Sequence, residues 1–199
     1  MSNSAIITLI ILTLFLFYII SIFNRLITLK NRYKNAFSQI EIQLKRRYDL
    51  IPNLIECVKG YLNHEKTTLE NITKARNGAT NALNNASLNP GDLKVMKDLS
   101  KAEAILNDNL QKFNIAVEAY PDLKSSQNMM QLSSELTNTE NKISFARQAY
   151  NDDVMIYNTF KQTFPSNIFA KIFGHGNDAS FLEFEDSKNI QNPSKISFN

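Results

Sequence analysis

The segment MMQLSSELTNTENKISFARQAYNDDVMIYNTFKQTF, Met129 to Phe164, decides the fold. Met129, Leu136, Ile143, Tyr150, Tyr157 and Phe164 recur every seven residues, and Leu132, Thr139, Ala146, Asp153 and Phe160 form a second, interleaved row. Alternating steps of three and four belong to a helix that buries one seam in a left-handed bundle or coiled coil. The preceding segment repeats the pattern with Leu99, Leu106, Phe113 and Tyr120, and Leu26, Tyr33 and Ile40 begin a similar row nearer the N-terminus. These rows read as core stripes in preference to a cofactor box.

Working outward, glycine and proline each occur only five times, so long stretches hold nothing that breaks a helix. SLNPGD, Ser87 to Asp92, ends one helix and offers Asp92 as the N-cap of the next; Pro121 marks a corner and Pro165 closes the last long stretch. Pro52 is open to two readings: the first turn of a new helix capped by Asp49, or a kink in one long helix. Glu41 and Lys45, Glu70 and Lys74, and Asp108 and Lys112 stand four apart, as on solvent-facing helical surfaces. Segments at roughly 25–48, 50–87, 93–120 and 123–164 therefore predict an all-α, up-and-down four-helix bundle with short connections.

Ahead of the bundle stands AIITLIILTLFLFYIISIF, Ala5 to Phe23, a run without charge. At about 1.5 Å per residue it matches the roughly 30 Å hydrocarbon core of a bilayer. It is too long and too uniform for an amphipathic helix. Met1 to Ser4 carry no side-chain charge and SIFNR offers no small-x-small cleavage site, so an uncleaved anchor is expected over a signal peptide. Arg25, Lys30, Arg32 and Lys34 follow the run and no cation precedes it, which places the domain on the cytoplasmic side. The organisation expected is an anchor at 1–24, a bundle at 25–174 and a tail at 175–199. In that tail Asp178 to Asp186 sets acids among Phe181, Leu182 and Phe184, and it is expected to be flexible unless a partner orders it.

The net charge of +3 is spread among interspersed acids and bases, which argues against nucleic acid as a partner. Cys57, the only cysteine, forms no internal disulfide and reads as a structural thiol in LIECVKGYL. His64-Glu65 does not extend to HExxH because Thr68 stands where a second histidine belongs, and His175 has no ligand spacing. Dinucleotide, phosphate-loop and serine-hydrolase motifs are missing. No catalytic residue, cofactor or metal site is expected. What remains is polar residues at core positions. Arg47 continues the Leu26, Tyr33, Ile40 row, Asp153 interrupts the second row of the last helix, and Asn138, Asn141, Gln148 and Asn151 crowd one segment. Most suit boundary positions facing water, while Arg47 and Arg147 suit a buried network equally well.

QLKRRYDLIPNL (Gln43 to Leu54), EAYPDLKSSQNMMQL (Glu118 to Leu132), LTNTENKISFARQAYND (Leu136 to Asp152) and FPSNIFAKIFG (Phe164 to Gly174) together closely resemble the LemA family of bacterial membrane proteins. The sequence departs from that pattern at Phe37, where many relatives have Trp, and around Asn84 to Lys97. The resemblance implies a single-pass protein of the bacterial cell membrane with a four-helix domain, and it brings no catalytic residues. Two functions follow as expectations. One is a non-enzymatic interaction or scaffold module bound to the lipid bilayer and to a membrane or envelope protein, or to itself. The other is an enzyme or small-ligand sensor using polar core residues such as Arg147, Asn151 and Asp153.

Overall fold

In the computed structural model, which describes residues 3–61 and 65–184, one helix leads from the apolar run into the domain without interruption. This helix, α1 (Asn3–Val58), contains 56 residues and is about 84 Å long at 1.5 Å per residue. α2 (Lys66–Leu88), α3 (Leu93–Glu118), the single turn α4 (Pro121–Lys124), α5 (Gln127–Gln162) and the short α6 (Ser166–Ile172) follow, with no strand among the described residues.

The chain is all-α, as the periodicity requires. α1 packs along α5 and touches α2, and α2 packs along α3. Arg32 of α1 pairs with Asp153 of α5 near one end, and Arg47 pairs with Glu140 further along, so α1 and α5 run antiparallel. The α2–α3 turn comes back beside Tyr33. A side chain at Gly91 (φ +90°) would stand 3.2 Å from the Tyr33 ring and 3.3 Å from Ala179, so only glycine closes this turn without strain. The order is therefore up, down, up, down.

Caps follow the local chemistry. Asp92 accepts from the backbone N–H of Lys94 at 2.9 Å and of Val95 at 3.2 Å, as expected for the α3 N-cap. Ser126 does the same for Met129 at the start of α5. The Glu41–Lys45 and Asp108–Lys112 pairs form at 2.5 Å and 2.7 Å, whereas Glu70 turns back to Lys66 at 3.9 Å instead of forward to Lys74.

The rows of seven are the core. Leu26, Tyr33, Ile40, Arg47 and Leu54 are buried on α1; Leu99, Leu106 and Phe113 on α3; Met129, Ile143, Tyr150 and Tyr157 on α5. Phe164 is the exception at 81 % exposed, because α5 stops at Gln162 and the row ends with it. From Ile22 onward α1 buries one stripe, but Ile6 to Phe17 present their large apolar side chains outward on every face. This part of α1 is long and apolar enough to cross a membrane.

Two expectations are corrected. Of the two readings of Pro52 the one long helix holds, since α1 continues to Val58 and turns at Lys59–Tyr61, where Gly60 weakens the helix; the segment expected at 50–87 therefore belongs to two helices. The tail expected to be flexible from residue 175 is instead packed over residues 175–184, with Ala179, Leu182 and Phe184 in the core. Residues 185–199 and His64 lie outside the described residues.

Candidate functional site

Pro52 sits inside α1 with no N–H to give, which deprives the carbonyl four residues back, on Tyr48, of its helical partner. Arg76 of α2 replaces it, its Nε donating to the Tyr48 carbonyl at 2.7 Å. One helix is thereby able to pass a proline, and α2 is fixed to α1 at that level.

The same level holds a charged core. Arg47 is 3 % exposed; its Nη1 donates to Glu140 of α5 at 2.5 Å and its Nη2 lies 3.6 Å from Glu103 of α3. The Tyr48 hydroxyl donates to the other oxygen of Glu103. Burial pushes the Glu103 carboxyl up from its ordinary range, opposed by the Arg47 charge and the Tyr48 hydrogen bond. Tyr48 is driven upward by burial and then by Glu103. Gln43 Oε1, Arg47 Nε, Glu103 Oε2 and Arg147 Nη1 are buried with no hydrogen-bond partner among the described residues. Arg47 is thus the centre of a buried network joining α1, α3 and α5. Asn138, Asn141 and Gln148 face water, as boundary residues do.

The remaining polar residues of α5 have a different use, in holding the tail. Asn158 bonds both backbone groups of Ala179, its Nδ2 donating to the carbonyl and its Oδ1 accepting from the N–H, each at 2.9 Å. Asn151 repeats this at Leu182, at 3.1 Å and 2.9 Å. Seven helical residues advance about 10.5 Å, and three extended residues advance about 10 Å, so the two ladders match in pitch. Tyr150 donates to the Ser180 carbonyl at 2.8 Å, and the Tyr157 hydroxyl meets His175 Nδ1 at 2.7 Å. On the far side Ser100 of α3 donates to the Glu183 carbonyl and Gly91 accepts from the Ser180 N–H at 2.8 Å. Arg147 stacks its guanidinium over Phe184, 4.6 Å from the ring centre. Residues 175–184 therefore run antiparallel to α5 as an extended strap bridging α5 and α3.

Electrostatics fasten the strap at its start. Lys161, itself buried, pairs with Asp178 and donates to the Gly176 carbonyl at 3.4 Å. The hydrogen bond from Lys161 holds the Asp178 carboxyl below its usual range. Burial, then the charges of Lys30 and Lys161, lower His175 and favour its neutral ring beside the Tyr157 hydroxyl. Beside the strap lies an open cleft of about 1350 Å³, walled by Met96, Lys97, Ser100, Met155, Asn158 and the strap itself.

Of the residues expected to form a polar site between helices, Asn151 and Arg147 are brought together on the strap side of α5, engaged by Leu182 and Phe184, whereas Asp153 lies on the α1 side, paired with Arg32 at 2.7 Å. Asn158 and Tyr150 were not foreseen as functional. A signal was present in the repeated Tyr-Asn dipeptide, Tyr150-Asn151 and Tyr157-Asn158, whose spacing of seven repeats a core tyrosine and a neighbouring amide on one helix face.

These features define an all-helical bundle protein, led by an apolar helix, that clasps an extended segment of its own chain. The chain belongs to the LemA family, whose sequence model matches residues 36–198. It is similar to Protein LemA of Metamycoplasma hominis, with 30% identity over 177 residues that cover 88% of this chain and 76% of that protein.

Proposed function

We propose that this LemA-family chain is a membrane-tethered, non-enzymatic interaction module of the bacterial cell. Residues 5–23 anchor it in the lipid bilayer, the bundle stands on the membrane, and the α3/α5 groove receives extended segments of a membrane or envelope protein or of a second copy. The observation that carries this reading is the pair of amides at Asn151 and Asn158, each engaging both backbone groups of one residue in an extended chain. Such contacts hold a peptide by its main chain, so the groove suits more than one sequence. The large apolar side chains of Ile6 to Phe17 support the anchor, since a run exposed on all faces has no place in water. Arg25, Lys30, Arg32 and Lys34 directly after it favour a cytoplasmic bundle.

A photo-crosslinking side chain at Met155, in the wall of the cleft, tests this in native membranes. Crosslinks to a partner or to a second copy are expected. Locking the strap through a disulfide between Ser100→Cys and Glu183→Cys should abolish them while leaving the protein in the membrane. Crosslinks that persist in the locked protein would remove the groove from consideration.

A second reading, a small-ligand sensor, draws on the buried unpartnered atoms around Arg47, Glu103 and Arg147. It requires a compound that raises the melting temperature of the wild type and leaves Arg47→Met unmoved.

A further inference from the structure

Three large apolar side chains are exposed at the foot of the bundle. Phe164 is 81 % exposed, Ile168 52 % and Ile172 71 %. Ile168 and Ile172 stand one turn apart and form a stripe on one side of α6, and Phe164 stands just ahead of its first turn. The opposite side of α6 is packed: Ala170 is buried, Phe169 stacks on Phe173, and Phe173 meets Phe23 edge to face with ring centres 5.1 Å apart. Phe23 is the last residue of the apolar run. The exposed stripe therefore lies level with the point where α1 leaves its apolar segment.

That position selects the occupant. If α1 spans a bilayer, the boundary between acyl chains and headgroups passes through Phe23, and any apolar surface at that height meets lipid without recruiting a partner. The surrounding charges agree: Lys171 lies on α6, and Arg25 and Lys30 follow Phe23 within two turns, where lipid phosphates stand. A short helix with apolar residues on one side and cations at its edge is the composition of an element lying in the interface plane. An ordinary water-facing helix end would carry polar residues at 164, 168 and 172.

We propose that α6, with Phe164, is an interfacial foot that seats in the leaflet where α1 emerges, so that the bundle is held to the membrane at two places. This rests on the reading of residues 5–23 as a membrane anchor. A single attachment through a straight helix lets the bundle tilt and rotate; a second contact on the α5 side fixes which face looks along the membrane, and with it the direction in which the α3/α5 groove opens.

The test uses the full chain with Cys57→Ser, reconstituted in vesicles of phosphatidylcholine and phosphatidylglycerol. A nitroxide is placed singly at Ile172→Cys, Ile168→Cys, Phe15→Cys in the apolar run and Asn138→Cys on the exposed side of α5. Collision with oxygen, which concentrates in lipid, is compared with collision with a water-soluble nickel complex. The expected result is that positions 168 and 172 shift away from the ratio at Asn138 toward that at Phe15. A ratio at 168 and 172 equal to that at Asn138, with Phe15 in lipid, would overturn the foot and leave the anchor standing. Low access to both reagents at 168 and 172 would assign the stripe to a protein contact and also overturn it. Phe15 in water would overturn the anchor and the foot with it.

Discussion

Replacing Arg47 by Met removes the only cation paired with Glu103 among the described residues while keeping most of the aliphatic stem. The Glu140 partner matters little, because its side chain is 46% exposed and water takes over. Glu103 is different: at 2 % exposure it is left as a buried carboxylate held by one hydroxyl, and breaking a buried pair in this way costs about 3–5 kcal/mol. For a domain of this size each kcal/mol moves the melting temperature by about 2–4 °C, so a fall of about 6–20 °C is expected. The sign with pH is fixed as well. The folded-state pKa of Glu103 is already raised, and losing Arg47 raises it further. A raised acid contributes stability below its unfolded pKa of about 4.3 and loses it as pH rises through the folded value, so the Arg47→Met deficit grows as pH rises above the unfolded value. Adding Glu103→Gln, which retains an acceptor for Tyr48, recovers most of the loss. Far-UV circular dichroism melts of the detergent-solubilised full chain read all three proteins. An Arg47→Met melting temperature equal to or above wild type would refute the buried network as a determinant of the fold.

Other expectations follow from single contacts. Arg76→Met leaves the Tyr48 carbonyl unpaired and costs about 1–3 kcal/mol; in a Pro52→Ala background, where the helix supplies its own N–H, the same change costs less, which a double-mutant cycle by chemical denaturation measures. Asn158→Ala strips both partners from the Ala179 backbone and opens the strap by about 1–3 kcal/mol, seen as faster hydrogen exchange at residues 178–184 with little change in α1. Because the His175 pKa is lowered in the fold, its contribution is complete above the unfolded value of about 6.5 and declines as pH falls below it, so strap protection, corrected for intrinsic exchange, weakens from pH 7 toward pH 5. Gly91→Ala forces a methyl toward Tyr33 in a left-handed backbone and lowers the melting temperature, by about 1–3 kcal/mol in unfolding free energy.

The helices were legible because burial on one side of a helix writes a period into the sequence. Leu99, Leu106 and Phe113 or Ile143, Tyr150 and Tyr157 leave no other interpretation of their spacing. Arg47 was legible as an anomaly in such a row, though its partners were not, since Glu103 and Glu140 come from other helices and nothing local links them. Pro52 misleads when read locally: whether it ends a helix depends on Arg76, 24 residues away, which supplies the missing donor. The strap was hidden for a related reason. Most of its hydrogen bonds join side chains of the bundle to its backbone, so the bound residues 175–184 need no period and their acids and aromatics read as a solvated tail. Only the binding side was written in the sequence, as two Tyr-Asn steps seven residues apart.

The claim that the groove binds an extended main chain is tested most directly by filling it from outside. A labelled peptide of residues 176–184, GNDASFLEF, is titrated onto the full chain carrying Leu182→Asp, a change that puts a charge where Leu182 is buried and frees the groove. Saturable binding is expected, weakened about tenfold or more when Asn151→Ala and Asn158→Ala are added, equivalent to about 1.4 kcal/mol or more. Failure of the peptide to bind, or binding that ignores both asparagines, would contradict it.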